Sequence, residues 1–179
     1  MDTLGLVESR SIAAGAVLTD AMVKAADVTL VKAGPICSGR YLIYISGDRD
    51  AVATSVAAAE SSGFGLAGSC TISNISPDVV SALKGHRGAA AGMALGVVES
   101  KTATPGIKAA DAAVKRSLAT LARLSVASGI NGKCFFVLAG DVASVEEGVN
   151  AARESLGPKC IEAVVIPSPD ACVLKAFVK

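Results

Sequence analysis

The sequence predicts an α+β fold that is built twice, from two tandem domains at residues 1–90 and 91–179. The stretch LGLVES at 4–9 returns as LGVVES at 95–100, and ten of the twenty-one positions from 4 to 24 are identical to positions 95–115. Because two fused copies of one fold can diverge, positions at which the repeats differ point to functions that only one copy performs.

Each repeat begins with a short apolar strand, at 4–8 and 95–99, followed by an Ala-rich stretch with helical spacing. In the first repeat, three apolar residues are predicted to share one face of that helix: Val17, Ala21 and Ala25. A β-leaning run at 28–31 then predicts the second strand. The continuous apolar run at 41–45, with its counterpart at 134–138, predicts a buried third strand.

A second helix and a last strand complete each repeat. The helix of the first repeat has apolar residues at helical spacing: Val52, Val56 and Ala59. In the second repeat, a Ser-x-x-Glu capping box beginning at Ser144 predicts the helix start. The last strands precede Ser-Pro-Asp sequences at 76–78 and 168–170, each followed by a short helix. This order is typical of a ferredoxin-like α+β sandwich with antiparallel pairing, and the Gly-rich stretch 85–92 is predicted to link the two copies.

The composition excludes several classes of protein. The formal net charge is +1 and no segment concentrates Lys or Arg, which argues against a nucleic-acid partner. No apolar run reaches the ~18 to 20 residues that a membrane helix needs, and residues 1–3 do not resemble a signal peptide. We therefore expect a soluble, cytosolic protein without a membrane partner.

Catalytic motifs are poorly supported. GFGLAG at 63–68 matches GxGxxG, but the order of strand and helix around it is the reverse of that in a dinucleotide site. Gly132-Lys133 resembles the end of a P-loop that lacks both its first Gly and its Ser or Thr. The only histidine, His86, lies in the predicted linker, so no hydrolytic triad is indicated. We predict no catalytic residues and no enzyme.

Five cysteines without paired spacing argue against a disulfide framework and against a metal site within one chain. Four are predicted to be small buried hydrophobes: Cys70, Cys134, Cys160 and Cys172. Cys37 differs because Gly and Pro precede it and Ser and Gly follow it in a loop between two strands. Thiolates select iron-sulfur clusters, zinc or copper(I), but one thiolate cannot hold any of them. A metal hypothesis therefore requires a trimer that brings three copies of Cys37 to one axis.

The openings at 5–8 and 96–99, the helix at 20–28 and the strand ending at Gly47-Asp48 resemble bacterial microcompartment shell proteins. The resemblance covers essentially the whole chain and is strongest to the tandem-domain class. It implies that three chains form a flat pseudohexameric tile within a polyhedral shell. The expected partners are two further copies of the chain and other shell proteins, and the expected location is a bacterial microcompartment in the cytoplasm.

Within that class, residues 35–40 together with 129–133 are similar to propanediol-utilisation shell proteins whose central pore carries a [4Fe-4S] cluster. The resemblance implies that Cys37 is the cluster ligand, one from each of three chains, with one cluster per trimer. Ser128 stands at the paired position of the second repeat, so three thiols rather than six would meet at the axis. The remaining pore-lining residues are expected to be Ser38, Gly39, Ser128, Gly129, Ile130, Asn131 and Gly132. Two roles remain open: electron transfer across the shell, with an encapsulated redox enzyme as partner, or release of a labile cluster.

Lys24 and its counterpart Lys115 match the lysine that lies at tile-to-tile edges in this family, so the resemblance implies an assembly role for both. Two alternatives to the cluster-binding tile stay open at this stage. One is a tile with an unmetallated Cys37 and a gated pore for small metabolites. The other is a ferredoxin-like regulator that senses a small molecule and trimerises without tiling.

Overall fold

The computed structural model describes residues 3–88 and 93–178. The first repeat contains β1 (Thr3–Ser9), α1 (Ile12–Ala25), β2 (Val28–Ile36), β3 (Arg40–Gly47), α2 (Arg49–Glu60), β4 (Leu66–Ser73) and α3 (Pro77–Leu83). The second contains β5 (Ala94–Ser100), α4 (Ala103–Arg116), β6 (Thr120–Val126), β7 (Cys134–Gly140), α5 (Val142–Leu156), β8 (Cys160–Pro167) and α6 (Ala171–Val178). The predicted order of elements is confirmed in both repeats.

The strands form two four-stranded antiparallel sheets, in the orders β2-β3-β1-β4 and β6-β7-β5-β8. The first strand of each repeat is therefore an inner strand, which is the ferredoxin-like arrangement. The register also fixes which residues of the two repeats are equivalent. Leu6 lies opposite Cys70 on β4, and its counterpart Val97 lies opposite Val164 on β8. Cys70 and Val164 are thus structural counterparts.

The buried face of α1 differs from the predicted one. Val17 is 54% exposed, and the buried residues of the helix are Ala14, Gly15, Leu18 and Met22. A Cβ at Gly15 would overlap the side chain of Tyr41, so the missing side chain lets β3 approach this face closely. Apolar residues occur on every side of this Ala-rich helix, so hydrophobic periodicity could not identify the face that packs.

The second helices pack as expected, although α5 begins earlier than predicted. On α2, Val52, Val56 and Ala59 are buried. On α5, the N-cap is Asp141, whose carboxylate accepts the backbone N–H of Ser144 at 2.9 Å. The capping box predicted at Ser144 is therefore wrong, because the stronger cap lies three residues upstream and places Ser144 inside the first turn.

The chain divides into two compact units, and each unit includes segments from both repeats. The first unit runs to Ile75 and includes Thr102–Thr104 and Ala127–Gly132 of the second repeat. The second unit holds the remainder, including α3 of the first repeat. The domain limits 1–90 and 91–179 stay a prediction.

Residues 89–92 of the predicted linker lie outside the described residues. At the end of its described part, the N–H of Gly88 donates to the carbonyl of Ala122 at 3.2 Å. His86 is exposed, as expected of a solvated histidine. Within the described ranges, no helix combines the length and apolar character needed to cross a membrane.

Candidate functional site

The Cys37 loop connects β2 to β3 through a short 3₁₀ turn, Cys37–Gly39. Ser38 and Gly39 both have a φ of 67°, a left-handed conformation that a non-glycine residue seldom adopts. Cys37 is half-buried, and its Sγ accepts the backbone N–H of Gly129 at 3.1 Å. The turn thus brings the thiol against the 127–132 segment, which belongs to the same compact unit.

The two predicted pore loops also contact each other at Ser38, one residue after Cys37. The hydroxyl of Ser38 donates to the backbone carbonyl of Asn131 at 3.3 Å and also contacts its Oδ1. Gly129, Asn131 and Gly132 all have positive φ values, so the 127–132 segment is a tight turn. Ser128 and Gly129 are exposed and Ile130 is half-buried. The structure therefore clusters the predicted pore residues, and their role in lining a pore stays a prediction.

A buried carboxylate lies behind this loop, and its partners are distant in the sequence. Glu8 on β1 is completely buried, and its Oε1 lies 2.5 Å from Nη1 of Arg40 on β3. Its Oε2 accepts the backbone N–H groups of Ala103 at 3.0 Å and of Thr104 at 3.4 Å, at the start of α4. A negative charge at a helix N-terminus is stabilising, so Glu8 fixes the start of α4.

Arg40 extends this network to the loop. Its Nη2 donates to the backbone carbonyl of Asn131 at 3.0 Å. A Cβ at Gly132 would overlap that nitrogen, so only glycine leaves room for the guanidinium. Burial raises the pKa of Glu8 above its ordinary value, and the Arg40 guanidinium opposes that rise. The ion pair and the loop on which Cys37 rests therefore form one connected structure.

The second repeat has a counterpart of this pair in a different environment. Lys133 replaces Arg40, and its Nζ lies 2.8 Å from Oε1 of Glu99, the counterpart of Glu8. The two side chains are 41% and 34% exposed, whereas Arg40 and Glu8 are 14% and 0% exposed. Equivalent positions of the two repeats thus carry a buried ion pair in the first repeat and a partly exposed pair in the second.

The two lysines expected at tile edges both lie in the last turns of their helices. Lys24 is 72% exposed and pairs with Asp20 at 2.7 Å, one helical turn earlier. Lys115 pairs with Asp111 at 2.6 Å, and the buried Asp111 also accepts the backbone N–H of Ser76 at 2.7 Å. The assembly role of both lysines remains a prediction.

The cysteines other than Cys37 differ from the predicted set of four buried residues. Cys134 is buried, Cys70 and Cys160 are half-buried, and Cys172 is exposed. Cys172 stands at the start of α6, whose next residues Val173 and Leu174 pack against the core of the second repeat. Over the described ranges, no three or more His, Cys, Asp or Glu side chains come together in a way that could hold a metal ion.

Comparisons with known proteins identify the class to which the chain belongs: both repeats match the BMC domain, at residues 3–77 and 94–169. The chain is 38% identical to the bacterial microcompartment shell protein PduT of Citrobacter freundii, over 98% of this chain and 97% of the relative. The chain therefore belongs to the bacterial microcompartment shell proteins. It is a structural component of a microcompartment shell rather than an enzyme, and such proteins assemble as oligomers with other shell proteins.

Solved structures agree with this assignment. A crystal structure of a microcompartment protein from Desulfitobacterium hafniense DCB superposes with a TM-score of 0.83 at 38% identity, covering 98% of this chain and 99% of that one. The fused permuted hexameric shell protein MSM0275 from the RMM microcompartment gives a TM-score of 0.61 at 22% identity. That match covers 87% of this chain and 84% of the other, and it shows similarity of fold alone.

Proposed function

We propose that three copies of this chain form a pseudohexameric shell tile and that their three Cys37 thiols hold one [4Fe-4S] cluster at the threefold axis. The observation that carries the proposal is the environment of the Cys37 sulfur. It is half-buried in a loop and accepts the N–H of Gly129 at 3.1 Å. Hydrogen bonds to the ligand sulfurs are among the factors that set the potential of an iron-sulfur cluster.

The donor set of one chain is too small for a cluster. Each chain offers the single thiol of Cys37 in this loop, and Ser128 occupies the paired position of the second repeat. Three chains would supply three thiolates, one fewer than the usual four, so one iron would be open to a small molecule or to another protein. When bound, such a cluster supplies one-electron chemistry. Cys37 would hold it, the N–H of Gly129 would donate a hydrogen bond to the ligand sulfur, and Arg40 would position the neighbouring turn.

Electron transfer across the shell is the role that we propose for such a tile, with an encapsulated redox enzyme as its partner. The ion pair between Glu8 and Arg40 supports this role, because Arg40 binds the turn against which Cys37 lies and so helps to hold that turn in place. A ligand loop fixed from behind holds its sulfur in one position, as a preorganised site requires.

A second candidate is a metal-free gated pore for small metabolites. The polar contact between Ser38 and Asn131, together with the exposed residues Ser128 and Gly129, favours it. Hydroxyl, amide and backbone groups of this kind can bind polar solutes by hydrogen bonds. In that case Cys37 would be an ordinary thiol.

Iron and acid-labile sulfide, measured on protein purified without oxygen, separate the two candidates. We expect about four irons and four sulfides per three chains, with visible absorption and an electron paramagnetic resonance signal after reduction. Cys37→Ser should lose all of them. Cys172→Ser, which removes an exposed thiol elsewhere, should keep them. Colourless wild-type protein after reconstitution with iron and sulfide, or iron retained by Cys37→Ser, would overturn the cluster and favour the pore.

A further inference from the structure

We propose that a small cavity beside α3 binds an amino acid in its zwitterionic form, with glycine as the best-fitting size. The cavity has a volume of about 70 Å³ and lies between α3, residues 86–88 and the start of β6. All of its lining residues belong to the second compact unit. An engineered cavity of about 150 Å³ binds benzene, so this cavity admits only a ligand of a few non-hydrogen atoms. The proposal does not depend on the Cys37 site.

The cavity has an apolar floor and a polar rim. Ala82 on α3 and Leu121 on β6 are buried and form the floor. The rim consists of exposed polar side chains: Asp78, Ser81, His86, Arg87 and Thr120. Ligand pockets commonly combine an apolar surface with a few convergent polar groups. The cavity therefore has the composition of a binding site for a small polar molecule.

Close packing of residue 88 against β6 forms one wall of the cavity. The backbone N–H of Gly88 donates to the carbonyl of Ala122 at 3.2 Å. A Cβ at position 88 would overlap the carbonyl oxygen of Leu121, so this close approach requires glycine. The segment that follows α3 is thereby fixed to the edge strand of the second sheet.

The two residues before Gly88 are also held by hydrogen bonds. The backbone N–H of His86 donates to the carbonyl of Ser81 at 3.1 Å, and the imidazole Nδ1 lies 3.2 Å from the same oxygen. Nη1 of Arg87 donates to the carbonyl of Val178 at 3.0 Å, at the end of α6. Binding groups that are fixed in advance lose less conformational freedom when a ligand binds.

The charged groups of the cavity determine the kind of ligand. Among the described lining residues, Asp78 carries the one carboxylate and Arg87 the one guanidinium. Asp78 lies in the first turn of α3 and Arg87 follows the last, so the two charges come from opposite ends of this helix. Neither forms an ion pair within residues 3–88 and 93–178. A simple anion would be repelled by Asp78 and a simple cation by Arg87, whereas a zwitterion matches both.

The only histidine of the chain makes binding directly measurable, because His86 lines the cavity. In protein with ring-¹³C-labelled histidine, its imidazole signals in a nuclear magnetic resonance spectrum need no further assignment. We expect glycine at neutral pH to shift these signals saturably with a Kd of about 1 mM, as suits a ligand of about five non-hydrogen atoms. Acetate and methylammonium each carry one of the two charges, and we expect both to bind at least about 10-fold more weakly.

Removing either charge should weaken binding of the zwitterion. We expect Arg87→Gln and Asp78→Asn each to weaken glycine binding at least about 10-fold, because each leaves one end of the ligand unpaired. Arg49→Gln, which removes an exposed guanidinium on α2, is the matched control and should leave the Kd unchanged. Far-ultraviolet circular dichroism verifies that each variant is folded.

Saturable glycine binding that both cavity variants weaken, together with an unchanged Kd in Arg49→Gln, supports the proposal. The absence of a saturable His86 shift up to about 50 mM glycine overturns it. Acetate or methylammonium that binds as tightly as glycine also overturns it, because the cavity would then be a plain anion or cation site. Wild-type affinity for glycine in either cavity variant has the same consequence.

Discussion

The carboxylate of Glu8 lies 2.5 Å from the guanidinium of Arg40, with Glu8 fully buried and the Arg40 side chain 14% exposed. The pair joins two neighbouring strands, the first turn of α4 and the turn beneath Cys37. A buried ion pair is a weak stabiliser as a whole, but removing one partner leaves an uncompensated charge. The difference between removing one partner and removing both can be measured.

Replacing Arg40 alone should strongly destabilise the protein. We expect Arg40→Met to lower the free energy of unfolding by about 3–5 kcal/mol, because the Glu8 carboxylate would stay buried without its cation. Adding Glu8→Gln should recover part of the loss. Urea unfolding measures both values. The control is Lys133→Met, which breaks the partly exposed counterpart pair and should cost less than about 1 kcal/mol. Equal costs for Arg40→Met and Lys133→Met would contradict the account.

The pH dependence of stability should carry the signature of Glu8. Burial raises the pKa of Glu8 in the folded protein above its ordinary value of 4.5. The folded state therefore binds the proton more tightly than the unfolded state, and protonation of Glu8 stabilises the fold. This contribution is fully present below pH 4.5 and is lost as the pH rises through the folded pKa.

The measurement is the unfolding free energy of the wild type minus that of Glu8→Gln, followed from about pH 7 down to pH 4.5. We expect the difference to shift in favour of the wild type as the pH falls. A difference that shifts the other way would mean that the Arg40 cation outweighs burial and lowers the pKa of Glu8 instead.

A side chain at position 132 should destabilise the protein. A Cβ there would overlap Nη2 of Arg40, and the φ of 72° already disfavours other residues. We expect Gly132→Ala to cost about 1–3 kcal/mol, as overpacking does. Gly63→Ala separates steric overlap from backbone strain, because Gly63 has a φ of 80° and a Cβ added there would have nothing within 4 Å. If thermal unfolding shows equal losses for the two variants, backbone strain alone accounts for the effect.

Lys24 should affect assembly without affecting the fold. Its ion pair with Asp20 is exposed, so Lys24→Ala should change the unfolding free energy by no more than about 0.5 kcal/mol. The family resemblance predicts that the same change abolishes sheets of tiles, which negative-stain electron microscopy would detect. Lys108→Ala removes another exposed helix lysine as a control and should leave sheets intact. Normal sheets from Lys24→Ala would refute the predicted edge role.

The sequence was sufficient for the order of elements, because the internal repeat shows each strand and turn twice. Which of two similar neighbouring residues is buried was harder to predict. Val17 and Leu18 are both apolar, and only the close approach of Tyr41 to Gly15 decides which one is buried. The hydrogen bonds from the start of α4 to Glu8 could not be foreseen, since they join residues 95 and 96 positions apart in the chain. A lone acidic residue in an otherwise apolar strand was the one available signal.

Native mass spectrometry of protein kept free of oxygen tests the central claim most directly, because it counts chains and bound cluster in the same particle. The account predicts a species of three chains whose mass exceeds that of the bare trimer by about four irons and four sulfides. In Cys37→Ser the trimer should persist at its bare mass. A wild-type trimer that never carries the added mass, even after reconstitution, would contradict the cluster, and the absence of any trimer would contradict the tile.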